Sequence, residues 1–232
     1  MAILFGVADS NSTTQSISSQ LTTNWGPLGA ISPELPDNHV PFIQSFEIKA
    51  HFVASQPTRA LDLIRRAWGW YLDSQYGTGS TCVEGYLPDG SFGYRATTGY
   101  DGDYSFTSHS HGWSTGPVAA LSTYVVGLLL TAPAGSQWNL SPQFGDLTSA
   151  EGGFTTPLGI FSAGWELAGN KGTLWYNAPV GTVGTVVIPG HQTEKVHAES
   201  QGSGSSGSRG HNTQVLAVDG DGQRHEISFT LQ

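Results

Sequence analysis

The sequence predicts an α+β chain of two domains, a set of helical hairpins followed by a small antiparallel β-sandwich. Three observations lead there. Apolar residues recur at helical spacing through the first half, they alternate with a period of two through the second, and Ala132-Pro133-Ala134-Gly135 separates the two regimes. The domains that follow are 1–131 and 136–232, and a chain of 232 residues is long enough to hold both.

Met1 to Ala8 is an apolar run too short to stand as a helix, so it reads as the tail of one that begins earlier. Asp9-Ser10-Asn11-Ser12 offers caps for a helix over 13–23, with Ile17 and Leu21 on one face. Trp25-Gly26-Pro27 ends it, and Pro33 and Pro36 mark an irregular loop across one end of the bundle. Pro41 suits a first helical turn, after which Phe42, Phe46, Ala50 and Val53 share a face. Pro57 opens the next helix, whose expected buried stripe is Leu61, Ile64, Trp68 and Leu72, with Arg59, Arg65 and Arg66 off it. Gly77 to Ser110 is long, Gly-rich and aromatic, and a loop of that length in a compact domain is usually functional or disordered. A last helix is expected from Thr115-Gly116-Pro117 to Leu130, with Leu121, Val125 and Leu128 facing the core.

In the β domain, Phe161, Ala163, Trp165 and Leu167 alternate onto one face, and Gly169-Asn170-Lys171-Gly172 is a hairpin turn. Strands follow over 173–177 and 182–188, then the linker-like SQGSGSSGSRG at 200–210. The segments 213–218 and 226–231 are expected to close as a hairpin across Asp219-Gly220-Asp221-Gly222, with Ile227, Phe229 and Leu231 inward.

Nine Lys plus Arg against eighteen Asp plus Glu give a formal charge of −9, which repels polyphosphates and argues against nucleic acid as a partner. Charged residues are only 12%, while Gly (31) and Trp (7) are abundant, a composition that suits a neutral glycoside. No stretch reaches the roughly 20 apolar residues of a membrane span. MAILFGVA lacks the basic flank of a signal peptide, so the compartment stays open; the sequons Asn11-Ser12-Thr13 and Asn139-Leu140-Ser141 are compatible with secretion. Cys82 stands alone and can form no intrachain disulfide.

Two stretches carry candidate chemistry: GTGSTCVEGYLPDGSFGY (77–94) and SHSHGWSTGP (108–117). In the first, Glu84 sits among small residues that let a ligand come close, with Tyr86 and Phe92 as candidate aromatic walls. In the second, His109, His111 and Trp113 add polar and aromatic groups; a ring face can cover the apolar face of a pyranose. The bland alternative is a capped loop between helices. His109 and His111 lack a carboxylate or cysteine at ligand spacing, and neither His191, Glu194 and His197 nor the Asp219 turn makes a convincing metal or calcium loop, so no metal or cofactor is expected. Cys82 reads as a packing thiol.

TGSTCVEGY resembles the "GATTxWE" segment of the inverting α-L-rhamnosidases, and SHSHGWSTGP resembles their "SHGWSSGP" segment. The stretches Trp25–Phe52 and Arg59–Asp73 look like that family's late barrel helices, and Phe144–Glu166 like the β domain after the barrel. The resemblance implies a partial (α/α)6 barrel, its last hairpins only, followed by a β-sandwich. It implies hydrolysis of terminal α-L-rhamnosyl groups with inversion, without cofactor, on a rhamnosylated glycoside or pectic oligosaccharide. Glu84 matches the general base, and His111 a histidine that touches the sugar hydroxyls. Inversion also needs a second carboxyl about 6.5–9.5 Å away as acid. The family's acid loop has no "RDER"-like counterpart here, and Glu34, Asp37, Glu47, Asp89, Asp101 and Asp103 sit in no matching motif. The chain alone is therefore expected to be inactive. The alternatives are a non-catalytic carbohydrate-binding remnant and a truncated gene product, the latter suggested by Met1 inside an apparent helix.

Overall fold

The computed structural model describes residues 1–75, 77, 79, 81–95, 99–188 and 214–231. His191, Glu194, His197 and the 200–210 insert lie outside them. Two compact units divide the chain, Met1–Ala120 and Leu121–Gln232, and the class is α+β.

The first unit begins with a run of turns over residues 2–6 rather than the expected helical tail. Helix α1 (Asn11–Leu21) then starts at Ser10, whose hydroxyl accepts the N–H of Thr13 at 3.1 Å. A two-residue ribbon, β1 (Trp25–Gly26) with β2 (Gly29–Ala30), turns the chain toward α2 (Pro41–Val53), which carries Pro41 in its first turn as expected. Helix α3 (Pro57–Ile64) packs back on α2 and passes through a π turn, Arg65–Gly69, into the short α4 (Trp70–Asp73). Helix α5 (Gly116–Ala120) also lies against α2.

Which faces are buried departs in part from the sequence reading. On α2 the expected Ala50 is buried, but the rest of the inward face is Gln44, Ser45, Ile48, His51 and Phe52; Phe42 and Phe46 are half-buried and Val53 is exposed. Along α3 and the turns after it, the expected Leu61 is buried together with Ala60, Leu63, Ala67 and Tyr71, while Ile64 and Trp68 are half-buried and Leu72 is 68% exposed. The reason is steric. Elements approach most closely where side chains are small, so Ala60 and Ala67 occupy the tightest stretch, while a stripe drawn by hydrophobicity favours the larger neighbours.

The polar residues on the inward face of α2 are tied into a network. Ser18 and His51, both fully buried, meet at 2.7 Å between Oγ and Nδ1. Arg59 NH1 donates to the same Ser18 oxygen at 2.7 Å, and Glu47 Oε1 accepts the Trp25 indole N–H at 2.6 Å with His51 Nε2 3.4 Å away. Arg59, expected off the packed surface, is thus a structural donor. Buried polar groups persist only when partnered, and here the network links α1, α2, α3 and β1.

The expected helix to Leu130 stops short. After α5 the chain enters the second unit as a π turn, Leu121–Val126, and breaks at Gly127, which has φ +83 and whose α-carbon faces the backbone of Ser141 and Pro142 too closely for a side chain. Leu128 to Leu130 is strand β3, antiparallel to β4 (Gln137–Leu140). Two four-stranded sheets make the β-sandwich, built also from β5 (Ser149–Thr156), β6 (Gly159–Ala168), β7 (Lys171–Asn177), β8 (Val183–Ile188), β9 (Gln214–Asp219) and β10 (Arg224–Thr230). Their orders are β10-β7-β6-β5 and β3-β4-β8-β9. Every pairing is antiparallel except β4 with β8. Phe161, Ala163, Trp165, Ile227 and Phe229 point inward as the alternation predicts. Trp138 meets Tyr176 at 5.4 Å and Phe161 at 6.4 Å across the interior, its indole N–H donated to Thr182.

The Asp219–Gly222 turn is a correction. It carries the chain from β9 in one sheet to β10 in the other instead of closing a hairpin, because Gly220 and Gly222 bond to Thr182 and Ala178 in the preceding loop.

Removing the centre of the α2 network should be costly. His51→Ala leaves Ser18 and Glu47 short of a partner and opens a cavity, so it is expected to destabilise the chain by about 2–4 kcal/mol in urea unfolding. A change inside ±0.5 kcal/mol would show that the network contributes nothing.

Candidate active site

The two sequence stretches come together through backbone pairing. Glu84 N–H donates to the Ser108 carbonyl at 2.8 Å, His111 N–H to Cys82 at 2.8 Å, and the Thr81 hydroxyl to the His109 carbonyl. Two residues on, the same segment pairs with the loop before α2: His39 N–H donates to Tyr86 at 2.8 Å and Tyr86 N–H to His39 at 3.2 Å. Residues 82–86 are therefore held between two other segments, although they form no long strand.

That pairing fixes the carboxylate. Glu84 is only 6% exposed, and each of its oxygens has a donor: the Tyr100 hydroxyl on Oε1 at 2.7 Å and the Ser108 backbone N–H on Oε2 at 3.0 Å. The same Ser108 residue thus pairs with Glu84 through both main chain and side chain. The Tyr94 ring lies against Gly85, so close that a Cβ there would clash with its Cδ2, Cε2 and Cγ. Burial, then the Glu84 charge, pushes the Tyr94 phenol up; the hydrogen bond to Glu84 does most to raise that of Tyr100. Both phenols stay protonated, and that of Tyr100 donates to Glu84. Arg95, 5.5 Å from the Tyr100 ring centre, pulls both the other way, and its backbone N–H is held by Asn38 Oδ1 at 3.0 Å.

The candidate sugar contacts divide. Trp113 is 48% exposed on a single 3₁₀ turn, Gly112–Ser114, which the Trp68 indole anchors through the Ser114 carbonyl at 2.7 Å. The His111 ring packs edge-on to Trp113 at 4.3 Å, and Phe42 stacks on Trp113 at 4.8 Å. Phe92 is half-buried with the His109 ring 4.4 Å away. Tyr86 is placed in the core: 1% exposed, it donates its hydroxyl to Leu28 at 2.8 Å, stacks on His39 and meets Trp70 at 4.3 Å, and its burial pushes the phenol far up. It presents no surface to a ligand and supports the Glu84 segment from beneath. Cys82 is half-buried and its thiol is pushed up by that burial, which suits packing rather than nucleophilic work.

Two acids of the same loop are committed to their neighbours. Asp89 accepts Ser91 N–H and Oγ–H, and Asp103 accepts Ser105 N–H and Oγ–H; each pair of donors holds its carboxyl below the usual range. A group held as an anion is poorly suited to donate a proton. Sequence reasoning missed Tyr94, Arg95, Tyr100 and Phe42 as parts of the site. Nothing periodic connects residues 16 apart in an irregular loop; the aromatic enrichment of 77–110 was the available signal.

Comparison with known proteins bears on what this site belongs to. A model of the bacterial α-L-rhamnosidase C-terminal domain matches residues 127–203. The GH78 family rhamnosidase of Bacillus sp. GL1 matches 72% of the chain at 29% identity with a TM-score of 0.54, over 16% of its own length. The chain thus resembles rhamnosidases, by the family model over 127–203 and by structure over most of its length. The fold is shared more widely: the Aspergillus terreus α-L-rhamnosidase covers 97% of the chain at 18% identity with a TM-score of 0.67. The Streptomyces avermitilis enzyme, solved with L-rhamnose, covers 82% at 19% identity and 0.56. The chain spans 23% and 17% of those two structures. No curated protein matches it.

Two outcomes are expected. Gly85→Ala should drive Tyr94 off the Glu84 segment and cost about 1–3 kcal/mol, read from the urea midpoint; an unchanged midpoint would show the contact to be slack. The second concerns pH. His39 is 1% exposed, with Nδ1 bonded to the Ala30 carbonyl at 3.0 Å, and burial lowers its imidazole below the ordinary value. The unfolded chain then takes up that proton first, so stability is full above about pH 6.5 and declines as pH falls below it. His39→Gln should flatten the decline, and an identical slope in the variant would contradict this.

Proposed function

We propose that the chain carries the water-activating half of an inverting α-L-rhamnosidase site, with the helices of the Met1–Ala120 unit being the last hairpins of an (α/α)6 barrel and the Leu121–Gln232 unit, which takes in residues 121–131 as well as the expected 136–232, the β-sandwich that follows. The observation that carries the reading is the buried Glu84 carboxylate, held by one donor on each oxygen in the same paired segments that present His111 and Trp113. In this reaction Glu84 takes a proton from water, and the water oxygen attacks the anomeric carbon of a terminal α-L-rhamnosyl group. The leaving oxygen takes its proton from a second carboxyl. Trp113 covers the apolar face of the sugar, and the half-exposed His111 imidazole exchanges hydrogen bonds with its hydroxyls. Phe92 borders the site, and Tyr86 acts through the backbone it supports.

The donor of the second proton is assigned to no residue here, since Asp89 and Asp103 are both held as anions. That same observation favours, as a second reading, a carbohydrate-binding module that retains the sugar pocket without turnover. Release of nitrophenol from a nitrophenyl α-L-rhamnoside distinguishes the accounts. The chain and Glu84→Gln are both expected to release none above the spontaneous rate, while L-rhamnose binds saturably and Trp113→Ala weakens it about tenfold. Turnover that disappears in Glu84→Gln would show a complete site and overturn the missing-acid argument. Absence of saturable binding would overturn the sugar site itself.

A further inference from the structure

We infer that Tyr100 is a positioning residue for Glu84, clamping its carboxylate together with the Ser108 backbone N–H so that it holds one orientation. The inference rests on Glu84 being the working carboxylate of the proposed site.

The geometry has three parts. First, the donors occupy different oxygens, 2.7 Å and 3.0 Å away, so rotation about the soft terminal torsion of Glu84 breaks both bonds together. The torsion that would otherwise let the carboxylate wander is thereby locked. Second, a carboxylate offers about four acceptor positions, and two remain after the clamp, enough for a water and a substrate hydroxyl. Third, both partners are donors, so each carboxylate oxygen is used as an acceptor, the role a base plays toward water.

Tyr100 is itself held for the task. The Arg95 guanidinium stands over its ring at 5.5 Å, Tyr94 meets it edge-on at 6.2 Å, and Phe106 lies 5.9 Å away. Its backbone is tied twice, through its N–H to Arg95 at 3.3 Å and through its carbonyl to Asp103 N–H at 2.7 Å. Charged and titratable groups on the elements around Glu84 are Cys82, Tyr86, Asp89, Tyr94, Arg95, Tyr100, Asp101, Asp103 and Tyr104 on its own loop, His109 and His111 on the paired segment, and His39 beyond Tyr86. Among them the Tyr100 hydroxyl makes a direct hydrogen bond to the carboxylate. Tyr100→Phe removes that single oxygen and keeps the ring.

The test follows the Glu84 carboxyl by carbon-13 NMR in the full chain labelled at glutamate, with Glu84→Gln supplying the assignment. In Tyr100→Phe the Glu84 carboxyl resonance at neutral pH is expected to move from its parent position, since the carboxylate loses a hydrogen-bond donor. Near-UV circular dichroism should remain native, and an unmoved resonance in that folded variant would overturn the clamp. Where the variant does not fold, the reciprocal measurement decides: the Tyr100 phenol, raised in the parent chiefly by its bond to Glu84, should titrate lower in Glu84→Gln, and no movement would equally overturn the clamp. Neither measurement needs sugar. A clamped carboxylate in a chain that binds no L-rhamnose would therefore remove the site assignment alone, and L-rhamnose binding with an unclamped carboxylate would remove this inference alone.

Discussion

Everything in the first unit that bears on function depends on the pairing of residues 82–86 with Ser108–His111 on one side and His39 on the other. A carboxylate on a Gly-rich loop has no reason to hold one orientation. Bonded through the main chain to Ser108, and through its two oxygens to Ser108 and Tyr100, Glu84 becomes as fixed as a residue on a strand. The loop achieves this without regular secondary structure, and small residues such as Gly85 let the Tyr94 ring close over the backbone. Burial makes each bond stronger and each missing one costlier, which is why the arrangement is all or nothing.

The helices support that pairing as well as burying a core of their own. Tyr86 and Val83 sink into the cluster with Tyr71, and Trp70 and Phe92 lie at its edge. Trp68 reaches across to hold the turn that carries Trp113, and Phe42 of α2 stacks behind that ring. The half-buried aromatic face of α2, which at the sequence level has no evident partner, is thus occupied in part by the site. Polar burial on the other side of α2 is resolved by the Ser18–His51–Glu47 chain rather than by apolar packing.

The order of helices then strands, the prolines that open α2 and α3, the alternation in β6 and the aromatic loop were all legible in the sequence, because each is encoded by neighbours within a turn or two. What was not legible depends on distant residues. Leu72 reads as core and is exposed because the buried stripe follows the small Ala60 and Ala67. Leu128 reads as helical and is a strand because Gly127 adopts a left-handed conformation and β4 supplies a partner. The Asp219–Gly222 turn looks like a hairpin and changes sheets, since its partners lie about 40 residues back. At the candidate site, Glu84 and His111 were proposed from motif resemblance and Trp113 from its aromatic face, whereas Tyr100 and Arg95 belong to no motif and are visible only once the loop is folded. Tyr86, two residues after Glu84 in sequence, belongs to the core, where its hydroxyl is committed to Leu28.

The central claim is that the fixed Glu84 carboxylate and the exposed Trp113 face serve one sugar. The most direct measurement is an L-rhamnose titration followed at the Trp113 indole N–H and the Glu84 carboxyl in a single NMR experiment. The account predicts that both resonances move along one saturable curve with one dissociation constant. Movement of neither, or of Trp113 with Glu84 unaffected throughout, would contradict it.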